Sequence, residues 1–153
     1  MANQIKVGDK APPFSLLSEK GETVNLSDLL GQRPLVLYFY PKDNTAVCTK
    51  EACAFRDNFD KFNNIEGAQI VGISSDSVDS HKRFSRDFGL PFTLLSDTGG
   101  KVRKLYGVPK SFGLLPGRVT YVIDKEGIVR HIFSSQLDYI KHVQEALYAL
   151  KSL

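Results

Sequence analysis

Two continuous apolar runs constrain the fold of this chain more than any other feature of its sequence. The first run is Pro34–Tyr40 and the second is Gln69–Ser74. A strand that is apolar at nearly every position is typical of one covered on both faces by other elements. The two runs therefore predict buried strands at the centre of an α/β fold.

A helical pattern lies between these runs. Ala52, Phe55, Phe59 and Phe62 recur at i, i+3, i+7 and i+10, which places them on one face of a helix. No proline interrupts residues 42–63, and Thr45 is a suitable N-cap. We therefore expect a helix that begins just after Thr45 and presents an apolar face to the strands.

The remaining elements complete a mixed sheet. Paired strands are predicted as an N-terminal β-hairpin at Phe14–Leu17 and Thr23–Asn25, and as a second hairpin at Val119–Asp124 and Gly127–Phe133. Further helices are expected at Ser77–Phe88, at Gly100–Tyr106 and around Ile140–Leu150. This order of elements predicts a mixed central β-sheet flanked by helices on both faces.

Length and charge limit the classes of function. The 153 residues fit a single domain spanning 1–153. A net charge of +3 without a basic stripe argues against nucleic-acid binding, and no apolar stretch is long enough to span a membrane. The segment Met1–Lys6 lacks the apolar core of a signal peptide, which predicts a cytoplasmic protein, or a plastid stromal one if a transit peptide has been removed.

The segment Gly107–Gly117 is the longest irregular stretch of the second half. It is rich in glycine and proline and also carries apolar side chains at Phe112, Leu114 and Leu115. Two interpretations remain open. These side chains could fold back on the core, or the segment could line a site or present a docking surface.

The two cysteines are too few to form a disulfide scaffold, so their placement carries the chemical information. Cys48 follows the end of the first buried strand and falls at the third position of the predicted helix. Unpaired backbone N–H groups and the positive end of the helix dipole lie there, and both favour a thiolate. This environment is typical of reactive cysteines.

The spacing of Cys48 and Cys53 makes a second prediction. Residues i and i+5 of an ideal helix have Cα atoms roughly 8.5 Å apart, whereas a disulfide requires less than about 7 Å. The two thiols cannot bond while both are helical. Oxidation would therefore have to unwind the first turns of this helix.

The same residues allow other interpretations of the cysteines. Both could be inert, buried side chains of a helix. A zinc site lacks a ligand quartet, because His81, His131 and His142 stand in unrelated contexts, and a Cys-x2-Cys dithiol is absent. No bound metal or cofactor is therefore expected.

The block around Cys48 resembles a known active-site signature. Pro41-x3-Thr45-x2-Cys48 is similar to the motif of the peroxiredoxin family, and Cys53 matches the second cysteine of its peroxiredoxin Q / bacterioferritin comigratory protein branch. The resemblance covers nearly the whole chain, through Gly8–Pro12, Phe92–Asp97 and Gly117–Gly127.

The resemblance implies a thioredoxin-like fold and the reduction of hydrogen peroxide and organic hydroperoxides by a thiol. Cys48 would be the peroxidatic thiolate that becomes a sulfenic acid, and Cys53 the resolving thiol that forms a disulfide with it. Thr45 and Arg118 match a hydroxyl and a guanidinium that hold the thiolate and the peroxide oxygens. Pro41 would shield the site from water. The implied partner is thioredoxin or a similar dithiol reductant, and the implied state is a monomer.

Several assignments stay open on sequence alone. Glu51 matches a position that often orients the arginine, but it also suits an exposed helix residue, and Arg118 suits a solvated charge at a strand end. Relatives often carry Pro-Gly where Ala46 and Val47 stand here, which puts the shape of the first helical turn in question. Besides a peroxidase, a redox sensor that signals through the unwound helix and a thioredoxin-like module with inert cysteines remain alternatives.

Overall fold

The computed structural model of the chain describes residues 4–111 and 115–153. Its strands are β1 (Ser15–Ser18), β2 (Thr23–Asn25), β3 (Leu35–Phe39), β4 (Gln69–Ser74), β5 (Thr93–Ser96), β6 (Lys110–Ser111), β7 (Leu115–Pro116), β8 (Val119–Ile123) and β9 (Val129–Ser134). Its helices are α1 (Leu26–Leu29), α2 (Ala46–Asp57), α3 (Phe59–Asn63), α4 (Val78–Phe88), α5 (Lys101–Leu105) and α6 (Tyr139–Lys151).

A seven-stranded mixed sheet carries the fold, in the order β2-β1-β5-β4-β3-β8-β9. Strands β3, β4 and β5 run parallel, whereas β8 pairs antiparallel with β3, and β1 pairs antiparallel with β5. The N-terminal hairpin thus joins one edge of the sheet and the second hairpin joins the other. The predicted α/β class, both hairpins and the central position of the two apolar runs are confirmed.

The alternation of side chains along β3 explains why this strand is apolar at every position. Tyr38 points to the layer of α2, α3, α4 and α6, where it stacks on Phe55 with ring centroids 4.6 Å apart. Leu37 and Phe39 point to the opposite layer, which is covered by α1, α5 and the N-terminal segment around Phe14. Because successive residues of a strand face opposite sides, a strand buried on both faces needs apolar residues throughout.

The single helix expected to begin just after Thr45 and to carry its apolar face as far as Phe62 is in fact two helices, which corrects the sequence prediction. α2 ends at Asp57, and α3 begins at Phe59. Asn58 lies between them, and its side-chain amide donates to the carbonyl of Ala54 at 2.8 Å. Asparagine side chains that bond to nearby backbone compete with the helical ladder. Phe62 still packs in the core, so the predicted apolar face is confirmed although the predicted continuous helix is wrong.

Strand β5, helix α1 and the two-residue strands β6 and β7 were not predicted. Strand β5 contributes only four residues, of which Leu94 and Leu95 are apolar, and α1 is a single turn. Helix α4 agrees with its prediction at both ends. Ser77 caps its start by accepting from the backbone N–H of Ser80, and Gly89 ends it with a left-handed φ of 58°.

Part of the irregular segment 107–117 forms the small hairpin of β6 and β7. Leu115 is half exposed there, while Phe112 and Leu114 lie outside the described residues. Gly117 packs so tightly that an added Cβ would collide with the carbonyl oxygen of Pro109, so a larger residue would displace the chain entering β8. None of the helices in the described parts of the chain has the length and apolar character needed to cross a membrane.

Candidate active site

Sheet pairing brings together the two segments that build the site. Cys48 lies near the start of α2, just after β3 ends, and Arg118 directly precedes β8. The antiparallel register pairs Phe39 with Val119, so the end of one strand lies beside the start of the other. Cys48 and Arg118, 70 positions apart in the chain, therefore meet where β3 ends and β8 begins.

Arg118 is held by three polar groups. Its Nη2 donates to the Cys48 sulfur at 3.3 Å, its Nη1 donates to Glu51 Oε1 at 2.6 Å, and its Nε donates to the carbonyl of Gln136 at 2.9 Å. The side chain is 3% exposed, which excludes the interpretation of a solvated charge at a strand end. Burial opposes the guanidinium charge, but Glu51 and Cys48 outweigh it, and the pKa of Arg118 is raised.

Glu51 is fully buried and not an exposed helix residue. It follows Cys48 by three residues, so both side chains lie on the same face of α2. Burial raises the pKa of Glu51 to about 7, although Arg118 acts in the opposite direction. Its second oxygen, Oε2, has no hydrogen-bond partner among the described residues. Glu51 therefore shares the cation of Arg118 with the Cys48 thiol.

Thr45 occupies the N-cap position of α2, as predicted, but its hydroxyl does not cap the helix. Its Oγ1 donates to the carbonyl of Lys42 at 2.8 Å, which closes the short loop ahead of the helix. Pro41 begins this loop and, together with Thr45, lines the cavity above Cys48. The candidate residues of the motif thus lie on one connected loop and helix start.

A buried hydrogen-bond cluster anchors this loop to the sheet and to α4. The Asp43 carboxylate accepts from the hydroxyls of Tyr40 at 2.6 Å and Ser80 at 2.8 Å, and it lies 2.7 Å from Nδ1 of His81. The backbone N–H of Asp43 donates to Asp76 at 2.8 Å. Sequence reasoning missed these residues, although Asp43 stands inside the motif block. The cluster holds the loop that carries Thr45.

The oxygen and nitrogen atoms of Asp43, Asp76 and His81 lie within 4.8 Å of one another, which is compatible with metal binding in principle. Each group is already engaged within the protein, however. Asp76 accepts from the hydroxyl of Ser74, and Nε2 of His81 bonds to the carbonyl of Leu95 at 2.9 Å. We therefore interpret the cluster as an internal hydrogen-bond network.

His142 borders the site from α6, and the sequence predicted no role for it in this site. Its Nε2 donates to the carbonyl of Ser135 at 2.8 Å, so its Nδ1 accepts from the Thr120 hydroxyl at 2.7 Å. Burial lowers the pKa of His142 to about 4, and the charge of Arg118 adds to this effect. The ring is therefore neutral, and its Nδ1 lies 3.8 Å from Glu51 Oε2.

Cys53 lies in the same unbroken helix as Cys48 and is half-buried, and both thiols are free. The part of α2 beyond Cys53 is firmly held. Phe55 is fully buried against Tyr38, and Arg56 Nη1 donates to the carbonyl of Phe88 at 2.7 Å. The first turns of α2 thus lie between two fixed attachments, the loop cluster around Asp43 and the core contact of Phe55.

A mainly apolar cavity of about 500 Å³ opens above Cys48, which is itself only 2% exposed. Leu115 of the irregular segment contributes to its wall, which favours the interpretation that this segment lines a site. Ala46 and Val47, which stand where relatives often carry Pro-Gly, also line the cavity. Its lining is Pro41, Lys42, Thr45, Ala46, Val47, Cys48, Leu115, Pro116, Arg118, Gln136 and Leu137.

Comparison with known proteins agrees with this geometry. The model of the AhpC/TSA family matches residues 7–132. The chain is 52% identical to the chloroplastic peroxiredoxin Q of Sedum lineare over 151 residues, which covers 98% of this chain and 80% of the relative.

Solved structures extend the similarity to the fold. The crystal structure of peroxidoxin BcpB from Mycobacterium tuberculosis has a TM-score of 0.90 and 37% identity, and the match covers 98% of this chain and 99% of that one. The bacterioferritin comigratory protein of Xanthomonas campestris, which has alkyl peroxide reduction activity, has a TM-score of 0.82 and 32% identity over 91% of this chain and 90% of that one. The fold is accordingly thioredoxin-like, and the chain belongs to the peroxiredoxin Q / bacterioferritin comigratory protein branch of the AhpC/TSA family, as a thiol-dependent peroxidase.

Proposed function

We propose that Cys48 is the peroxidatic cysteine of this peroxidase and that Cys53 resolves its oxidised form. The observation that carries this assignment is the 3.3 Å contact between Arg118 Nη2 and the Cys48 sulfur at the start of α2. A guanidinium and the free N–H groups of a helix N-terminus both favour the thiolate, which is the nucleophilic form.

In the first step the Cys48 thiolate attacks one oxygen of the peroxide. A bond forms between sulfur and oxygen, the O–O bond breaks, and the leaving hydroxide or alkoxide takes up a proton to give water or an alcohol. Negative charge grows on the leaving oxygen, and Arg118 stabilises it together with the backbone N–H groups of α2. Thr45 holds the peroxide at the loop, Pro41 keeps water from the thiolate, and Glu51 orients Arg118.

In the second step the Cys53 thiol condenses with the Cys48 sulfenic acid and releases water. Both residues are helical in the reduced protein, so the first turns of α2 have to unwind before the sulfur atoms can bond. The attachments at Asp43 and Phe55 support this proposal, because they confine the change to the segment between them.

Reduction of the disulfide by thiol exchange completes the cycle. We propose thioredoxin or a similar dithiol protein as the reductant, and a monomeric, single-domain enzyme as the active form. The apolar lining of the cavity supports organic hydroperoxides as substrates alongside hydrogen peroxide.

The enzyme requires a reducing compartment that supplies the dithiol. The sequence favours the cytoplasm, with the plastid stroma as the alternative, and the chloroplastic names of the plant relatives support the stroma. Imaging of a fluorescent fusion in the source cells decides between them.

Serine substitutions test the two cysteine roles. Cys48→Ser is expected to abolish thioredoxin-coupled peroxide turnover. Cys53→Ser is expected to consume about one equivalent of peroxide and then stop, because the sulfenic acid forms but is not resolved. Full coupled activity of either variant would contradict the role proposed for that residue, and gel filtration of both variants tests the monomeric state.

A further inference from the structure

Three buried groups near the start of α2 share a single positive charge. Arg118 lies 2.6 Å from Glu51 and 3.3 Å from the Cys48 sulfur, and these residues are 3%, 0% and 2% exposed. Both the carboxyl and the thiol can lose a proton. If both did so, two negative charges would face one cation without water to screen them.

The remaining groups that face Glu51 do not add a cation. His142, from α6, is neutral because burial lowers its pKa to about 4, and Tyr38, from β3, is neutral because burial raises its pKa well above the ordinary value. Thr120, from β8, offers a hydroxyl that already bonds to His142. Among the described residues, Arg118 is the one positive charge that touches this carboxyl.

We propose that Glu51 and Cys48 carry one negative charge between them opposite Arg118 until the pH is raised: Glu51 keeps its proton while Cys48 is the thiolate, and it competes with that thiolate for Arg118 once it ionises as well. The inference rests on the proposed role of Cys48 as the peroxidatic residue. Like charges that share a small site do not ionise together, because each raises the cost of the other.

The position of the Glu51 oxygens supports this assignment. Oε1 accepts from Arg118, which a neutral carboxyl can also do through its carbonyl oxygen. Oε2 is buried without a partner among the described residues, and an ionised carboxylate would leave about half of its charge on that unpaired oxygen. Burial also raises the pKa of Glu51 to about 7, so that about half of this carboxyl keeps its proton in neutral solution and most of it below that pH.

The proton of the Cys48 thiol leaves to solvent, and Glu51 retains its own. Arg118 is then free to turn its charge from sulfur to the leaving oxygen as the O–O bond breaks. When Glu51 ionises at higher pH, it competes for Arg118 and the thiolate loses its main counter-charge. The rate constant for Cys48 oxidation is therefore expected to fall on the alkaline side.

The pH profile of Cys48 oxidation in a single turnover tests this inference, with the wild type compared against Glu51→Gln. Glutamine keeps the shape of the neutral carboxyl and cannot ionise. The wild type is expected to lose about tenfold in rate for each pH unit above the Glu51 midpoint, whereas Glu51→Gln stays flat there. Profiles of the same shape in both proteins would overturn the inference. Absence of any Cys48 oxidation would instead overturn the proposed function.

A second measurement keeps the inference testable if Glu51→Gln does not fold. The infrared C=O stretch of a protonated carboxyl can be titrated in the wild type and in Cys48→Ser. Without the thiolate, Arg118 serves Glu51 alone, so the band is expected to disappear at lower pH in Cys48→Ser. An unchanged midpoint would show that the two groups do not compete and would overturn the inference.

Discussion

The carboxylate of Asp43 lies 2.7 Å from Nδ1 of His81, and both side chains are almost completely buried. This pair joins the loop that precedes α2 to α4, two elements that are 38 residues apart in the chain. Tyr40 and Ser80 bond to the same carboxylate. The loop that carries Thr45 is therefore attached to the rest of the protein independently of the helix that follows it.

Asp43→Ala is expected to destabilise the protein by about 1–3 kcal/mol for each buried partner that it leaves without a hydrogen bond, namely the hydroxyls of Tyr40 and Ser80 and the ring of His81. Denaturant unfolding measures this effect. The matched control is Asp87→Ala, since Asp87 lies at the exposed end of α4 in a surface pair with Arg86. That variant is expected to stay within about 0.5 kcal/mol of the wild type, and an equal loss in both variants would argue against the anchoring role of Asp43.

Arg118→Lys is expected to lower kcat/KM for peroxide by about 10²–10³-fold. Lysine keeps the charge but cannot donate to Cys48, Glu51 and Gln136 at once, so a donor to the developing negative charge is lost. Steady-state peroxidase kinetics provide the measurement. Arg130→Lys, at a half-exposed position on β9, is the control and should retain normal activity.

Val47→Gly is expected to accelerate disulfide formation between Cys48 and Cys53 by about two- to fivefold. Glycine weakens a helix by roughly 0.5–1 kcal/mol, and position 47 lies in the turn that has to unwind. Quenched-flow alkylation followed by mass spectrometry measures the rate.

Lys82→Gly controls for general helix weakening in this experiment. Position 82 is exposed on α4, so the substitution lowers helix stability without touching the segment between the cysteines. Disulfide formation in Lys82→Gly should match the wild type. A similar acceleration in both glycine variants would contradict local unwinding of α2.

Glu51 is expected to make the folded state less stable as pH rises from 4.5 to about 7. Its pKa is raised from 4.5 to about 7 by burial, so the folded protein binds the proton more tightly than the unfolded chain in this range. This tighter proton binding by Glu51 contributes about 3 kcal/mol to the free energy of unfolding below pH 4.5, and the contribution is lost by about pH 7. The difference in free energy of unfolding between Glu51→Gln and the wild type should therefore shift in favour of the variant as pH rises across this range.

His142 is expected to act with the opposite sign. Its pKa is lowered from 6.5 to about 4 by burial, so its contribution is present above pH 6.5 and is lost as pH falls toward 4. The two effects oppose each other between pH 4.5 and 6.5. Between pH 6.5 and pH 4, a His142→Gln variant should thus lose less free energy of unfolding than the wild type, although it starts from a lower value. An equal loss in the two proteins would contradict this prediction.

The sequence was most informative where a local pattern and a local chemistry coincide. Continuous apolar runs predicted the central strands, and the residues around Thr45 predicted the helix start near which Cys48 lies. Both depend on residues close together in the chain, so spacing and propensity are sufficient to find them.

Long-range pairing accounts for most of what was missed. The burial of Glu51 depends on Arg118, which lies 67 residues further along the chain, directly before β8, and the His142 ring reaches the site from the last helix. Strand β5 owes its identity to pairing with β4 on one side and β1 on the other, because only two of its residues are apolar. Such relationships follow from topology, and no local pattern records them.

The two attachments that flank residues 46–53 also separate two properties of the protein. The hydrophobic core and the Asp43 cluster determine how firmly the chain is folded, whereas the short segment between them determines how readily the thiols exchange partners. Substitutions at exposed positions of that segment are consequently expected to change the rate of disulfide formation severalfold while lowering the stability of the fold by only about 1 kcal/mol or less. Selection or engineering can therefore change the rate of the peroxidase cycle largely independently of the stability of the fold.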